Sequence, residues 1–253
     1  MKYRFIAILI LMLVGSQNLY SQDYIILSDS EVRGILRVSL GATQFSLREK
    51  DSLAQSAYGI HLSNEVKLLS YVWNKEKSFT FHDAFYLDLS FGRMNNEPRE
   101  LPSKGESESR FSYVANMGYL LLPGYRNPKW ALLAGLDFRW RAVKVGEYTF
   151  PNVDGPLLYY SRPLVIRAEY ALSKEIADKR AIFMMWYDNG TAKRTNYLSA
   201  RLEYPIGEKG RSWIYFQYTG QSALGEDTFT PSDAKDTKFN QLILGVRIQN
   251  AIL

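Results

Sequence analysis

The chain has 253 residues, of which 46% are apolar and 14% aromatic, and its formal net charge is +5. It contains no cysteine, which excludes disulfides and thiolate metal ligands, and only two histidines, which leaves few candidates for a metal site. The charge is mild for this length and no basic cluster stands out, so the composition argues against nucleic acid as a partner.

The first 22 residues have the pattern of a secretory signal peptide. Lys2 and Arg4 precede an apolar run at 5–14, and small and polar residues follow up to Gln22. This run is too short for a membrane anchor, because a spanning helix needs about 20 apolar residues. We therefore expect export, cleavage near Gln22 and a single domain over residues 23–253.

Ten later segments alternate apolar and polar residues, which is the period of a β-strand with two different faces. In the clearest of them, Phe79, Phe85 and Leu87 share one face, while Tyr86 and Asp88 share the other. The predicted strands, in chain order, are 33–47, 57–73, 79–93, 110–122, 129–143, 163–172, 180–187, 195–206, 212–220 and 238–249.

Three of these segments are irregular. The alternation in the first slips before Phe45 and Leu47, which indicates a β-bulge. The sixth begins with Pro163, a residue that a closed ladder accepts at the start of a strand. The seventh is apolar without a break from Ile182 to Trp186. Because the sixth and seventh are irregular, ten strands is the expectation, and eight or twelve remain alternatives.

The links between the strands alternate in length. No later segment is long and apolar enough for a spanning helix, so a membrane protein with this sequence would use strands closed into a barrel. The tight links are 74–77, 123–128, 173–179 and 207–210, and the long ones are 94–109, 144–162 and 221–237. In outer-membrane barrels the tight turns are periplasmic and the long loops face outward, so both termini are expected on the periplasmic side.

Aromatic residues cluster near both ends of the predicted strands, as in the girdles that lie at lipid headgroups. The set at the tight-turn end comprises Tyr71, Trp73, Phe79, Tyr125, Trp130, Tyr170 and Tyr204. The set at the long-loop end comprises Phe91, Phe111, Tyr113, Trp140, Trp186, Tyr197, Tyr218 and Phe239.

Periodicity alone does not decide which face of the sheet lies inside. A soluble secreted barrel or sandwich that binds a ligand would bury the apolar face and leave the charged face in water. Ten strands of about ten residues, the length that a tilted strand needs to cross a bilayer, favour the membrane alternative. With this pattern, the chain resembles the small outer-membrane β-barrel proteins of Gram-negative envelopes from about residue 31 to Gln249, without resembling one subfamily. The resemblance implies a closed antiparallel up-and-down barrel in the outer membrane.

In such a barrel the polar face lines the lumen. The expected lumen network consists of Arg37, Glu65, Lys67, Tyr86, Asp137, Arg139, Arg167, Glu169, Arg201, Glu203 and Arg247. Ten strands enclose far less space than the 16 to 18 of open porins. The mixed charges could pair and fill the lumen, because unpaired buried charges are costly, or they could line a narrow porin-like channel.

Three lumen residues have the chemistry of a hydrolase. The tight turn at 74–77 pairs the second and third strands so that Ser63 lies opposite Asp88, with His61 on the same face. These are the residue types of a nucleophile, its general base and an orienting carboxylate. The His61–Leu62–Ser63 triplet also resembles the histidine-x-serine pair of outer-membrane phospholipases and lipid A deacylases, whose active residues face the lipid rather than a lumen.

These observations favour a small channel or a structural and interaction protein over an enzyme. The expected partners are outer-membrane lipid and an envelope protein or extracellular ligand bound by loops 94–109 and 221–237. The sequence contains no histidine pair with metal-ligand spacing, no phosphate-binding glycine loop and no dinucleotide fingerprint, so no metal or cofactor is expected.

Overall fold

The structure is a computed structural model, and it describes eleven ranges of the chain. They are 35–48, 55–67, 72–74, 79–94, 111–145, 148–150, 159–173, 179–189, 195–207, 211–223 and 238–251. The predicted signal peptide and most of the loops 94–109 and 221–237 lie outside the described residues. None of the described residues forms a helix that could cross a membrane.

Thirteen strands occur in the described ranges. In chain order they are β1 Ile35–Arg48, β2 Gln55–Lys67, β3 Val72–Asn74, β4 Phe79–Met94, β5 Phe111–Arg126, β6 Trp130–Val145, β7 Tyr148–Phe150, β8 Tyr159–Ser161, β9 Leu164–Ala171, β10 Arg180–Asn189, β11 Thr195–Ile206, β12 Ser212–Ala223 and β13 Lys238–Ala251. Ten of them are long, and most coincide with the ten alternating segments of the sequence apart from a few residues at their ends. The second predicted strand, 57–73, is different: β2 ends at Lys67, and residues 72–74 form the separate β3.

The ten long strands form one closed antiparallel barrel. Each pairs with the strand that follows it around the ring, in the order β2, β1, β13, β12, β11, β10, β9, β6, β5, β4. The ring closes because β4 pairs with β2, and the first and last strands of the chain lie side by side. The short β3 extends the pairing of β4, while β7 and β8 extend that of β6. The predicted ten-strand barrel is confirmed.

The two faces of the wall have opposite chemistry, and it is the apolar face that lies outside. Leu40, Leu244 and Tyr204 are each more than half exposed on the outer surface. By contrast Arg141, Arg167 and Arg247, on the inner face, are each about 1% exposed. A soluble barrel requires the reverse arrangement, with the charges in water, so the faces identify a transmembrane barrel.

The bulge predicted in the first strand is absent. β1 pairs in continuous register with β13 and β2 across its whole length. The alternation of the sequence slips because the inner face changes chemistry: Phe45 and Leu47 point into the barrel, where they join an apolar cluster and are 0% and 3% exposed. The backbone pattern is regular although the sequence pattern is not.

The predicted long loop 144–162 is partly sheet. Residues 148–150 and 159–161 form β7 and β8, and both pair with the upper part of β6. These short strands therefore pair with the edge of β6 that continues past the end of β9, in the part of β6 that also pairs with β5. Short strands of three residues give almost no alternation to read, so the sequence pattern does not reveal them.

The uninterrupted apolar run of β10 has a similar cause to the slip in β1. Ile182, Met184 and Trp186 point inward and are buried, while Phe183 and Tyr187 are exposed on the outer face. Apolar side chains thus occupy both faces of this segment, the outer ones towards lipid and the inner ones in a buried cluster, so its sequence does not alternate.

Candidate functional site in the barrel interior

The interior contains a buried network centred on two glutamates. Glu65 of β2 contacts the Nη1 atoms of Arg37 at 3.1 Å and Arg247 at 3.2 Å. The same Nη1 atom of Arg247 also lies 2.9 Å from Glu203 of β11, and the Nε atom of Arg201 lies 2.8 Å from Glu203. Two neutral side chains also bind arginines of this network. Arg37 donates a hydrogen bond to Gln249, and Arg247 donates one to Ser39. The network therefore links strands from across the barrel.

A second polar group lies on β4 and β6. The hydroxyl of Tyr86 lies 2.8 Å from both carboxylate oxygens of Asp137, and the Nη1 atom of Arg139 lies 4.0 Å from the same carboxylate. Tyr86 is carried on β4, which does not pair with β6; the side chain spans the intervening strand β5 at Gly118. The absence of a side chain at Gly118 makes room for this hydroxyl, since a Cβ atom there would lie 2.9 Å from it.

A third group lies at the tight-turn end. The Nε atom of Arg167 contacts Glu169 at 2.7 Å, and the Nε atom of Arg180 lies 4.0 Å from the other oxygen of that carboxylate. Arg180 also donates to the backbone carbonyls of Asn127 and Pro128, and so ties the turn between β5 and β6 to β10.

Basic side chains outnumber acidic ones on the inner face of the described strands. Nine basic residues point inward: Arg37, Lys67, Arg126, Arg139, Arg141, Arg167, Arg180, Arg201 and Arg247. Six acidic residues do so: Glu65, Asp88, Asp137, Glu169, Asp188 and Glu203. The structure thus brings the entire predicted lumen set to one face, and adds Arg126, Arg141, Arg180 and Asp188 to it.

Aromatic rings stack against several of these arginines. The guanidinium of Arg139 lies 4.0 Å from the ring centre of Tyr197, and that of Arg201 lies 5.1 Å from Trp186. Cation–π contacts stabilise charge where water is excluded. The sequence predicts Trp186, Tyr197 and Phe239 in the aromatic girdle at the long-loop end. They lie inside the barrel instead, because their positions fall on the inward-facing side of their strands.

Two apolar clusters fill other parts of the interior, and the sequence prediction of a wholly polar lumen missed both. One lies at the long-loop end and comprises Phe45, Leu47, Ala57, Val114, Val143, Val145 and Phe239. The other lies along one wall and comprises Ala84, Leu120, Leu122, Ala131, Leu133, Val165, Ile182, Met184, Trp186 and Tyr197. The slip in β1 and the unbroken run in β10 are the sequence signals that correspond to them.

A small cavity remains between the polar groups. Its volume is about 30 Å³, and Tyr86, Asn116, Asp137, Arg139 and Gln217 are among the residues that line it. A water needs about 10 to 15 Å³ of such space, so the cavity has room for about two waters. Both polar and apolar side chains line it, and Asn116, Asp137 and Arg139 provide hydrogen-bond partners for water. In this part of the lumen, side chains of the described residues leave space for little more than water.

The three hydrolase candidates lie on adjacent strands as predicted. Ser63 is paired with Asp88 and donates to its Oδ1 atom at 2.5 Å. His61, however, lies 2.9 Å from the hydroxyl of Ser90, which also accepts a hydrogen bond from Gln241. A hydrolytic relay needs the histidine between the nucleophile and the carboxylate. Here the serine bonds the carboxylate directly and the histidine bonds a different serine.

His82 is buried in the lumen near the glutamate network, because it has the same parity on β4 as Tyr86 and Asp88. Its Nε2 atom lies 3.8 Å from Glu65 and has no hydrogen-bond partner. Among the described residues no three histidine or acidic side chains are grouped in a way that could hold a metal ion.

No family model and no curated protein matches the chain. The chain is similar to several solved structures, at low identity and with low TM-scores. Ail, the attachment invasion locus protein of Yersinia pestis, is 11% identical, with 86% of this chain and 99% of Ail covered and a TM-score of 0.35. Outer membrane phospholipase A from Escherichia coli is 13% identical, with 93% and 96% covered and a TM-score of 0.29. A deltaS2 mutant of the TodX monoaromatic hydrocarbon channel is 8% identical, with 88% and 91% covered and a TM-score of 0.39. All three TM-scores are below 0.4.

Proposed function

We propose that the protein is an integral outer-membrane barrel with a closed lumen, and that it acts as a structural and interaction protein of the envelope. The observation that carries this proposal is the filled interior. Ion pairs, stacked aromatic rings and two apolar clusters occupy the space that a diffusion channel would leave to water. The long-loop end, at which Phe45 and Phe239 pack together with no exposure, supports closure most directly.

A closed barrel contributes a rigid platform in the membrane. Binding residues are found disproportionately on loops that a rigid scaffold holds in position. Loops 94–109 and 221–237 are the segments that would meet another envelope protein or an extracellular ligand. The signal-peptide pattern supports export, and the apolar outer face supports residence in a bilayer rather than in the periplasm.

Conductance across a planar bilayer tests closure. The protein is purified from the carbonate-resistant membrane fraction and checked for a heat-dependent shift in gel migration, which closed barrels give in detergent. We expect no current steps above those of protein-free bilayers, because the side chains packed between the described strands would block the passage of water and ions. A trimeric porin reconstituted in parallel serves as the positive control. Stepwise currents that change on replacement of Arg139 or Arg167 would establish the narrow channel instead.

Loop replacement tests the interaction role. Residues 95–109 and 222–236 are each replaced by a short turn, and the heat-dependent gel shift verifies that the barrel still forms. Crosslinking in intact cells is then compared between the native chain, the two loop variants and a variant with a shortened 190–194 link. Loss of one specific crosslinked species in the loop variants alone is expected. Unchanged crosslinking would remove the interaction role.

A further inference from the structure

One amide on the outer wall of the barrel faces lipid without a partner. Ser63 and Glu65 of β2 are buried in the lumen, so Leu62, Asn64 and Val66 point outward by parity. The side chain of Asn64 is exposed on this outer face. Among the described residues, none forms a hydrogen bond with its side-chain amide. This amide therefore offers two donor hydrogens and an acceptor oxygen to whatever lies against the wall.

Asn64 lies within the apolar band of the wall rather than at its edge. In the ladder it is opposite Val38 of β1 and Leu87 of β4. On β4, Leu87 stands between Phe79 at the tight-turn end and Phe91 at the long-loop end. The stretch of strand from Leu87 to Phe91 is about 13 Å long, and the apolar band of a membrane barrel is about 25 Å tall. Hydrocarbon rather than water therefore surrounds the amide.

Other polar side chains of the outer wall are bonded within it. The amide of Gln44 donates to the hydroxyl of Tyr58 at 3.1 Å, and the hydroxyl of Tyr119 donates to Asp83 at 3.1 Å. A polar group in hydrocarbon is costly when it has no hydrogen bond. In membrane helices, asparagine side chains satisfy this requirement by bonding across to a neighbouring segment. Asn64 lacks a bonding neighbour on its own wall, so a second molecule has to supply the bond.

We propose that Asn64 lies at the centre of a contact between two copies of this barrel in the membrane. A primary amide is self-complementary, because its donor and acceptor can bond those of a second amide reciprocally. Copies inserted in the same orientation hold Asn64 at the same depth, as a two-fold axis along the membrane normal requires. The residues around the amide, among them Val38, Leu62 and Leu87, are aliphatic and place no charge against a second copy. The contact depends neither on a closed lumen nor on the loops.

The tilt of the strands makes this contact local. Strands of membrane barrels are tilted by about 35–45° from the barrel axis, so two β2 strands related by the two-fold axis would cross at about 80°. Their outer faces then touch mainly around Asn64, and Leu62 is the next residue on the same face. A photoreactive side chain at Leu62 should therefore reach the second copy, and one on the opposite wall should not.

Photocrosslinking in intact cells tests where the contact lies. p-Benzoylphenylalanine replaces Leu62 in the full chain, and two forms with different epitope tags are co-expressed. The heat-dependent gel shift verifies that both forms fold. Irradiation is expected to give a product that contains both tags. The same amino acid in place of Phe183 should give none, because that ring is 41% exposed on β10, on the opposite side of the ring of strands.

Substitutions test whether the amide drives the contact. The chain has no cysteine, so Arg211→Cys provides one exposed site for donor and acceptor dyes, and energy transfer in vesicles gives the dissociation constant. Asn64→Leu is expected to raise this constant about tenfold, whereas Asn64→Gln should keep most of the affinity. Gln44→Leu is the matched control, because it removes an outward amide that is already bonded to Tyr58. It should leave the constant unchanged.

The stability of the separated copies distinguishes a contact residue from a structural one. In dilute detergent micelles, Asn64→Leu should raise the midpoint temperature of the heat-dependent gel shift, since it removes a polar group from the apolar face. A lower midpoint would assign the amide to the fold of the single barrel and would overturn the proposal.

The remaining outcomes identify another occupant of the wall. A crosslinked product at Leu62 that never contains both tags would assign the wall to a different protein, and irradiation that leaves only the single chain would assign it to lipid. Either result would overturn the proposal. So would a dissociation constant that Asn64→Leu leaves unchanged, or one that Gln44→Leu raises equally, because the amide of Asn64 would then have no specific role.

Discussion

Glu65 shows how one residue can organise the lumen of a small barrel. Its carboxylate contacts Arg37 and Arg247 within 3.2 Å, and the two arginines are carried by the strands at the two ends of the chain. β1 and β13 are neighbours in the ring, so this carboxylate reinforces the position where the barrel closes. A buried charge without its partner is more costly than the absence of the whole pair.

We expect Glu65→Gln to lower the free energy of unfolding by about 3–5 kcal/mol, since it leaves two arginines under-compensated. Arg37→Gln should lower it less, because Arg247 continues to contact Glu65. The double variant should lose less than the sum, by about 0.5–3 kcal/mol. Urea unfolding in lipid vesicles measures all three. Strict additivity would contradict a direct interaction between the two side chains.

Gly118 is required where a tyrosine spans a neighbouring strand. A Cβ atom at this position would lie 2.6 Å from the carbonyl oxygen of Phe138 and 2.9 Å from the hydroxyl of Tyr86. The first contact is with backbone and cannot relax without distorting the ladder. The second displaces the hydroxyl that bonds Asp137.

Gly118→Ala is therefore expected to destabilise the barrel by about 1–3 kcal/mol, the cost of overpacking. Gly220→Ala is the matched control, because the nearest atoms to its Cβ belong to the side chain of Tyr218, the hydroxyl at 3.0 Å, and not to the backbone. It should change stability little. The midpoints of the heat-dependent gel shift compare the two variants, and an equal effect of both would show that the close approach at Gly118 is unimportant.

At the scale of elements, two strands show why an interior can be apolar and charged at once. β1 contributes Arg37 and Ser39 to the polar network at one end and Phe45 and Leu47 to the apolar cluster at the other. β10 contributes only apolar residues to the lumen between Ile182 and Trp186. The polarity of the lumen therefore varies with depth and with strand.

The two faces of a strand should respond differently to the same substitution. Phe45→Ala leaves a cavity in a packed cluster and is expected to cost about 3–5 kcal/mol. Phe85→Ala removes a ring that is 52% exposed on the outer face. Acyl chains can fill the space, so the expected loss is the transfer contribution of about 1.5–3 kcal/mol. Guanidinium unfolding in vesicles measures both, and a larger loss at Phe85 would contradict this packing.

At the scale of the whole molecule, the apolar outer face and the charged inner face of the barrel determine where the chain can reside. Thirty large apolar side chains are exposed on the described surface, from Leu40 to Ile248. A monomer in water rarely exposes more than a few hundred Å² of contiguous apolar surface. In a bilayer the same surface is satisfied by lipid.

Depth-dependent substitutions test this arrangement. Leu244 lies in the middle of β13 and Ile206 ends β11 at the tight-turn rim. Leu244→Arg is expected to cost about 2–4 kcal/mol and Ile206→Arg about 0–1 kcal/mol, because the penalty for a lipid-facing cation falls towards the interface. Unfolding titrations in vesicles provide the comparison. Equal small effects would indicate that water rather than lipid surrounds the wall.

The sequence by itself predicted ten long strands, most of their bounds to within a few residues, and the pairing of Ser63 with Asp88. These depend on local information: a period of two residues and a tight turn that sets the register. It also assigned residues such as Glu65, Asp137 and Arg247 to one face, because parity along a strand is fixed. Errors arose where an apolar residue stands at an inward-facing position. At Phe45 the sequence suggested a bulge, and at Trp186 it predicted a side chain in the aromatic girdle.

Only the tertiary structure decided which face is inside and how the lumen is filled. Apolar and polar residues alternate in the same way in a soluble barrel and in a membrane barrel. The period of two residues therefore does not show which face of the sheet lies inside the barrel. Partners on strands far apart in the ring, such as Arg201 with Glu65 and Arg141 with Gln221, depend on side chains that reach over the interior. The bonding of His61 to Ser90 rather than Ser63 was decided in the same way, by rotamers and neighbours that register alone does not specify.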